Sequence, residues 1–206
     1  MTLEFLDLAL YAAAVFILFL TPGPVWVALL ARAMSGGFKA VWPLALGVAF
    51  GDAIWPILAI FGVSWLANEI DGILAILRYL AALVFLVMGV LLVLKVENTL
   101  DNYSRLTRPG MWAGFIAGVV VILGNPKAIL FYMGILPGFF DLTEVAPLDV
   151  IAIVMVSSTT PLLGNLILAS FVIKARTFLQ SARAVRRINI MSGMLLISVG
   201  LVIPFV

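Results

Sequence analysis

The sequence predicts an all-α membrane protein: six transmembrane helices in a 3+3 inverted repeat, with helices 1 and 4 broken near the membrane midplane. Three observations predict this fold. The 206 residues are 65% hydrophobic and 11% charged, with a mean hydropathy of +1.25, whereas a soluble domain is about 45–50% apolar and about 25% charged. The apolar residues form six long stretches. Two of these stretches are interrupted by proline at matching places.

Each of the six stretches is long enough for a membrane-spanning helix, which needs about 20 mainly apolar residues. The connections carry the Gly, Pro and charged residues expected of turns. The first residues, Met1–Asp7, contain acidic residues but no Lys or Arg, so we expect no cleaved signal peptide. The predicted spans are Leu8–Ala31, Ala40–Ala67, Ile73–Leu94, Met111–Leu136, Leu148–Ile173 and Ile188–Val206.

Composition excludes several classes of function. The chain contains no Cys and no His, which excludes disulfides, thiol chemistry, zinc sites and acid–base catalysis by His. A net charge of +2 gives no basis for nucleic-acid binding. Because the chain has no His, no Cys and no clustered carboxylates to supply a nucleophile and its base, we predict that the protein is not an enzyme and uses no cofactor.

Lys and Arg are concentrated in alternate connections. Ten of the 12 follow spans 1, 3 and 5, and most acidic residues lie on the opposite side. The positive-inside rule then places these three connections in the cytoplasm and both termini outside it, in a bacterial-type inner membrane. The basic residues after span 5 fit this topology signal, which we favour, or a site for anionic membrane lipid.

Spans 1 and 4 are interrupted about 14 residues from their starts, near the midplane at about 1.5 Å rise per residue. The breaks lie 104 residues apart, about half the chain. We therefore predict one transporter domain, residues 1–206, built from inverted repeats of about 1–104 and about 105–206. Broken helices at corresponding positions of such repeats indicate a transport site. The two interruptions are Thr21-Pro22-Gly23-Pro24 and Gly124-Asn125-Pro126-Lys127.

Each break has residues that can end one helix and begin another. Proline lacks a backbone N–H and frees the carbonyl four residues earlier. Thr21 and Asn125 are good N-cap residues, and proline suits the first turn after a cap. We expect each new helix start to present free N–H groups and a positive dipole end to a carboxylate. A plain proline kink is the alternative for either break taken alone.

Two charged residues are predicted near the midplane, Asp52 in span 2 and Lys127 in span 4. A charge in the membrane core costs at least about 2.5–3.5 kcal/mol and marks a functional site by default. In one interpretation both face a central cavity, where Lys127 holds a carboxylate and Asp52 holds an ammonium group or carries a proton. In the other, Asp52 and Lys127 form a buried ion pair that only stabilises the bundle.

Span 5, the partner of span 2 in the predicted repeat, carries small polar residues. The run Ser157-Ser158-Thr159-Thr160 is followed by Pro161, Gly164 and Asn165. These residues either line the cavity opposite Asp52 or mediate helix packing. The deep tryptophans Trp26 and Trp55 are candidates for a pocket wall. We predict that the following glycines are packing positions: Gly47, Gly51, Gly89, Gly114, Gly118, Gly193 and Gly200.

Several strings run in a familiar order and spacing over nearly the whole chain: Phe19-Leu20-Thr21-Pro22-Gly23-Pro24, Ala31-Arg32, Gly36-Gly37, Gly51-Asp52, Asn125-Pro126-Lys127-Ala128 and Leu136-Pro137. Together they resemble the lysine exporter (LysE/RhtB) family of amino-acid exporters. The resemblance implies a six-helix inner-membrane carrier that exports amino acids or related metabolites, driven by the proton gradient. It places function on Pro22, Gly23, Pro24, Asp52, Asn125, Pro126 and Lys127, to which the cap argument adds Thr21.

Two departures from the family pattern bear on the substrate. Residues 81–89 lack the tyrosines often found there, and Gly138 stands where a Gln often follows Leu-Pro. Fewer polar groups imply a neutral or less polar substrate in place of lysine.

Export of a metal or inorganic cation is the alternative function, although transition metals prefer the Cys and His ligands that this chain lacks. The oligomeric state is open, and a homo-oligomer is compatible with the sequence.

Overall fold

The computed structural model describes residues 3–21, 23–69, 73–94 and 110–179, with residues 186–187, 190–191, 193–194, 197–198 and 200–201. Throughout this part of the chain the regular elements are helices and no strand occurs, so the all-α prediction is confirmed. Pro22, the predicted connection after span 3 and most of predicted span 6 lie outside the described residues.

The first predicted span and the second are divided between two helices, α1 (Phe5–Leu20) and α2 (Pro24–Glu69). α2 is itself interrupted at Gly36 and Gly37, where the backbone torsions are not helical. Gly37 has φ 63°, in the left-handed region that glycine occupies without a Cβ penalty. The turn therefore falls between the first two predicted spans, as expected, and Arg32 crosses it by donating from Nη1 to the Ala40 carbonyl at 3.3 Å.

The remaining helices follow the predicted spans closely. α3 covers Ile73–Leu94, the bounds predicted for span 3, and α4 covers Met111–Leu123. After the second break come α5 (Pro126–Leu130), a π-helical turn (Phe131–Ile135) and α6 (Leu136–Phe139). This segment is bent by 51° from α4. α7 covers Pro147–Leu179, and the Asp149 carboxylate accepts the Ala146 N–H at 3.0 Å at its start.

Length and composition allow some of the described helices to cross a membrane. Two qualify alone, within Pro24–Gly62 and Pro147–Phe171, and the bent pair Met111–Leu123 with Pro126–Phe139 makes a third if it is one span. Large apolar side chains are exposed on their outer faces, among them Phe61, Trp112 and Leu163. Polar residues such as Asp52 and Lys127 are buried instead. A bundle embedded in lipid exposes apolar side chains on its outside and keeps its few charged side chains inside.

α2 and α4 approach each other closely at glycine residues. A Cβ added to Gly47 would overlap the carbonyl oxygen of Phe115, and one added to Gly118 would overlap the carbonyl oxygen of Leu44. Gly51 and Gly114 pack across the same interface, and Gly89 approaches the Gly193 carbonyl oxygen, 2.7 Å from its Cβ position. The predicted packing role of these glycines is confirmed, because small residues let helix backbones approach in a membrane.

Candidate functional site

The first break ends α1 with a threonine cap. The Thr21 N–H donates to the carbonyls of Ile17 and Leu18, at 3.2 and 3.3 Å, and its hydroxyl donates to the Ile17 carbonyl at 3.0 Å. The prediction that Thr21 is an N-cap is therefore wrong: it is the C-cap, and the next helix begins at Pro24. A threonine hydroxyl readily donates to the carbonyl four residues back, so it closes the helix that precedes it.

The second break matches the prediction. Asn125 is the N-cap of α5, and its Oδ1 accepts the backbone N–H of Lys127 at 3.2 Å. Pro126 follows as the first helical residue, where its missing N–H costs nothing. α4 ends at Leu123, and the N–H of its C-cap residue Gly124 donates to the Val120 carbonyl at 2.9 Å.

Lys127 joins the two breaks. Its ammonium donates to the carbonyl of Leu18 at 2.8 Å and to that of Thr21 at 2.6 Å. Pro22 has no N–H to give the Leu18 carbonyl, so this carbonyl accepts from the Thr21 N–H at 3.3 Å and from the shorter contact with the lysine. A cation at the C-terminal end of a helix also interacts favourably with its dipole. Residues 106 positions apart are thus held together by one buried side chain.

Two tryptophans satisfy other carbonyls at the breaks. Trp26 Nε1 donates to the Phe19 carbonyl at 2.7 Å, and Trp55 Nε1 donates to the Ile122 carbonyl at 3.3 Å. Ile122 lies four residues before Pro126, so its carbonyl is the one that this proline frees. Both tryptophans are candidates for a pocket wall in the sequence, where their role as hydrogen-bond donors was missed. The signal was available, since every proline inside a helix leaves a carbonyl in need of a donor.

Asp52 is buried, with 3% of its surface exposed. The Tyr132 hydroxyl donates to its Oδ1 at 3.3 Å. A second buried tyrosine, Tyr11, shares a hydrogen bond of 2.5 Å with Ser157. Both tyrosines were missed from the sequence, because partners 80 and 146 residues apart leave no local pattern.

Asp52 and Lys127 do not form a direct ion pair. Among the described residues the hydrogen-bond partners of the ammonium are the two α1 carbonyls, and the partner of the carboxylate is Tyr132. The predicted alternative, in which Asp52 and Lys127 form a buried ion pair that only stabilises the bundle, is therefore contradicted by the geometry. The freed carbonyls are better placed to accept from the ammonium than the carboxylate is.

A pocket that is partly open to the exterior lies beside the two breaks. Both charged groups line it, together with the polar residues Asn125, Tyr132 and Asn165. Its apolar lining includes Val15, Leu18, Phe19, Trp26, Val48 and Ile122. Of the predicted site residues, Gly23, Asp52, Asn125 and Lys127 line this cavity. Thr21 contacts Lys127, while Pro24 and Pro126 begin helices beside it.

The residues from Ser157 to Asn165 in α7 are divided between the two predicted roles, helix packing and cavity lining. The hydroxyls of Ser157, Ser158 and Thr159 donate to carbonyls one turn back in their own helix. These hydroxyls therefore have partners within the helix, which fits the packing role. Pro161 and Asn165 line the cavity. The cavity-facing part of this helix therefore begins one turn later than the serine and threonine run indicated.

Comparison with known proteins shows the family of this chain. Residues 16–204 match the family model described as LysE type translocator. The chain belongs to the LysE type translocator family. The resemblance drawn from the sequence motifs is thereby confirmed, and with its apolar helices this translocator is a multi-pass membrane protein.

Several curated proteins are similar to this translocator. A membrane protein of Synechocystis sp., described as uncharacterized, is 31% identical over 170 residues, which cover 82% of this chain and 81% of that protein. The leucine efflux proteins of Salmonella choleraesuis and Salmonella typhimurium are each 34% identical over 130 residues. Those alignments cover 63% of this chain and 61% of the leucine efflux proteins. No solved structure matches.

Proposed function

We propose that this translocator exports amino acids with apolar side chains across a bacterial-type inner membrane, driven by the proton gradient. One observation carries the proposal: buried groups of opposite charge, Asp52 and Lys127, line one cavity with the apolar side chains of Phe19 and Trp26. An amino acid presents a carboxylate, an ammonium and a side chain. The cavity lining offers a partner of matching chemistry to each of the three.

Lys127 is the proposed ligand of the substrate carboxylate. An ammonium has three donors, and two of them contact the carbonyls of Leu18 and Thr21. The third is left for the substrate. A Cβ at Gly23 would lie 3.6 Å from Nζ, so glycine at this position keeps the space beside the ammonium open. Asn125 fixes the backbone from which Lys127 extends.

Asp52 is the proposed coupling residue. Its carboxylate binds the substrate ammonium when the cavity is loaded and a proton when the carrier returns. Because one carboxylate serves both cations in turn, an inward proton is exchanged for an outward amino acid. The hydroxyl of Tyr132 keeps the carboxylate oriented in both states.

The relatives and the lining favour a neutral, apolar substrate. The Salmonella proteins are named for leucine efflux, and the lining residues beyond the charged pair are mainly apolar. The alternative, export of a metal or inorganic cation, has less support. Across the described residues no group of three or more His, Cys, Asp or Glu side chains could hold a metal ion, and Lys127 would repel a cation.

The six-helix 3+3 inverted repeat is part of the proposal. Each break pairs a helix end with a new helix start, and in each a carbonyl in the last turn of the first helix accepts from a tryptophan indole. Lys127 brings the two breaks together. Two repeats related by an axis in the membrane plane, about 1–104 and about 105–206, would produce this meeting at the centre.

We expect purified protein in liposomes to release leucine in response to a proton gradient. Vesicles loaded with radiolabelled leucine should lose it faster when the external medium is acidified, because inward protons drive export. Lysine-loaded and glutamate-loaded vesicles are the substrate controls. Release of leucine at the rate of protein-free vesicles would refute the function, and preferential release of lysine would refute the apolar specificity.

The proposed orientation, with both termini outside the cytoplasm, has its own test. Alkaline phosphatase fused after Val206 should be active, because it folds only outside the cytoplasm, and green fluorescent protein fused there should be dark. The same two reporters inserted after Lys95 should give the opposite result. Bright fluorescence from the Val206 fusion would reverse the orientation.

A further inference from the structure

The side chain of Asn165 is buried without a hydrogen-bond partner. It lies on α7 with 1% of its surface exposed, and it lines the cavity. Neither its Nδ2 nor its Oδ1 contacts a donor or acceptor among the described residues. The polar lining residues Asn125 and Tyr132 differ in this respect, since the first accepts from the Lys127 N–H and the second donates to Asp52.

An unpartnered buried amide calls for a physical reason. The large majority of buried polar side chains in proteins have at least one partner, and an unsatisfied donor or acceptor destabilises the folded chain. At Asn165 both a donor and an acceptor are unsatisfied, and both belong to a cavity wall. A ligand in this cavity would supply the missing partners.

The chemistry of the amide indicates which part of a ligand it would meet. Nδ2 donates two hydrogen bonds and Oδ1 accepts two, so a carboxamide can contact a carboxylate and an ammonium at once. Asp52 and Lys127 line the same cavity with groups that bind these two charges. Pro161, one helical turn before Asn165, also lines it, so this face of α7 is directed at the cavity.

We propose that Asn165 binds the zwitterionic head group of the transported amino acid, with Nδ2 donating to the carboxylate and Oδ1 accepting from the ammonium. The inference rests on the proposed export function and assigns it a third polar ligand. The head group is then held from α2, α5 and α7 together. The substrate side chain lies against Phe19 and Trp26, on the apolar part of the lining.

The substitution Asn165→Leu tests this role because it keeps the size of the side chain and removes both polar atoms. Without substrate, the variant should melt at the same temperature as the wild type or higher, since no hydrogen bond is lost. Its affinity for leucine should fall about tenfold to a hundredfold, the effect of losing two hydrogen bonds. A purely structural asparagine would give the reverse, a lower melting temperature with unchanged affinity, and would overturn the proposal.

Head-group analogues of leucine sharpen the test. 3-Methylbutylamine lacks the carboxylate, and 4-methylpentanoate lacks the ammonium. The wild type should prefer leucine to both in thermal-shift binding, and Asn165→Leu should reduce that preference. The matched control is Ser170→Ala on the exposed side of α7, where the hydroxyl donates to the Leu166 carbonyl; it should leave the preference unchanged. Equal preference in Asn165→Leu and wild type would overturn the head-group assignment.

These outcomes separate the inference from the proposed function. If leucine stabilises the wild type and the Asn165→Leu variant equally, export stands and the role of Asn165 falls. If no amino acid stabilises the wild type, the export function falls and the head-group role falls with it.

Discussion

Asp52→Asn should fold as well as the wild type and lose export driven by the proton gradient. Asparagine is nearly isosteric with aspartate and keeps an oxygen that can accept from the Tyr132 hydroxyl. It cannot take up and release a proton. Release of leucine from vesicles should therefore stop responding to external acid, while the amount of folded protein, measured by size-exclusion chromatography, stays the same.

The hydrogen bonds of Lys127 decide whether Asp52→Asn is expected to be stable. Removing one partner of a buried ion pair costs about 3–5 kcal/mol, so an Asp52–Lys127 pair would make Asp52→Asn unstable. The Lys127 ammonium donates to two carbonyls instead, and loss of the carboxylate does not leave it without partners. A large fall in the yield of folded Asp52→Asn, reversed by adding Lys127→Met, would contradict this arrangement.

Asp141→Asn is the matched control. Asp141 is exposed between α6 and α7, and Thr143 donates to its carboxylate from the hydroxyl at 2.6 Å and from the backbone at 3.0 Å. The hydroxyl first, and then the backbone N–H, hold the pKa of Asp141 below its ordinary value. The control thus removes a carboxylate that is charged at neutral pH, and export by the Asp141→Asn variant should be normal.

Proton-driven export by the double variant Asp52→Asn/Lys127→Met would refute the coupling role of Asp52.

Gly118→Ala should sharply reduce the amount of folded protein. The added Cβ would overlap the Leu44 carbonyl oxygen and lie 2.8 Å from the Val48 backbone nitrogen. Backbone atoms of a packed helix cannot swing aside as a side chain does, so α2 and α4 must separate. Overpacking of this kind costs about 1–3 kcal/mol, which a lower melting temperature of the purified protein would report.

The control for this substitution is Gly62→Ala, also in α2. A Cβ at Gly62 would meet no atom within 4 Å. Alanine favours a helix over glycine by about 1 kcal/mol, so this variant should be as stable as the wild type or slightly more stable. If Gly118→Ala melts at the wild-type temperature, the close α2–α4 packing is incorrect.

Local chemistry made much of the fold predictable. Proline removes a donor wherever it stands, so the breaks near Pro24 and Pro126 were predictable, and so was the cap at Asn125. The bounds of α3 followed from hydropathy alone. The role of Thr21 was not predictable in the same way, because two prolines follow it and the sequence does not indicate which of them begins the new helix. The hydroxyl closes α1 instead.

The site was less predictable because its contacts join distant parts of the chain. Lys127 could be placed near the membrane centre from its span, but its choice of the Leu18 and Thr21 carbonyls over Asp52 depends on how α1 and α5 meet. The contact of Tyr132 with Asp52 depends on a π-helical turn, which no sequence pattern indicated. Asn165 was included among residues that either line the cavity or pack, and only the helix rotation distinguishes the two.

The contact between Lys127 and the end of α1 has a consequence for the return half of the transport cycle. In the proposed cycle the carrier returns with a proton on Asp52 and no amino acid bound, and a bare ammonium in a low-dielectric interior would oppose that step. Here the protein itself supplies acceptors for the ammonium. Nζ of Lys127 donates to the carbonyl oxygens of Thr21 and Leu18 at 2.6 and 2.8 Å. In the proposed cycle the carrier would therefore reset without a second amino acid bound, which would permit net outflow as well as one-for-one exchange.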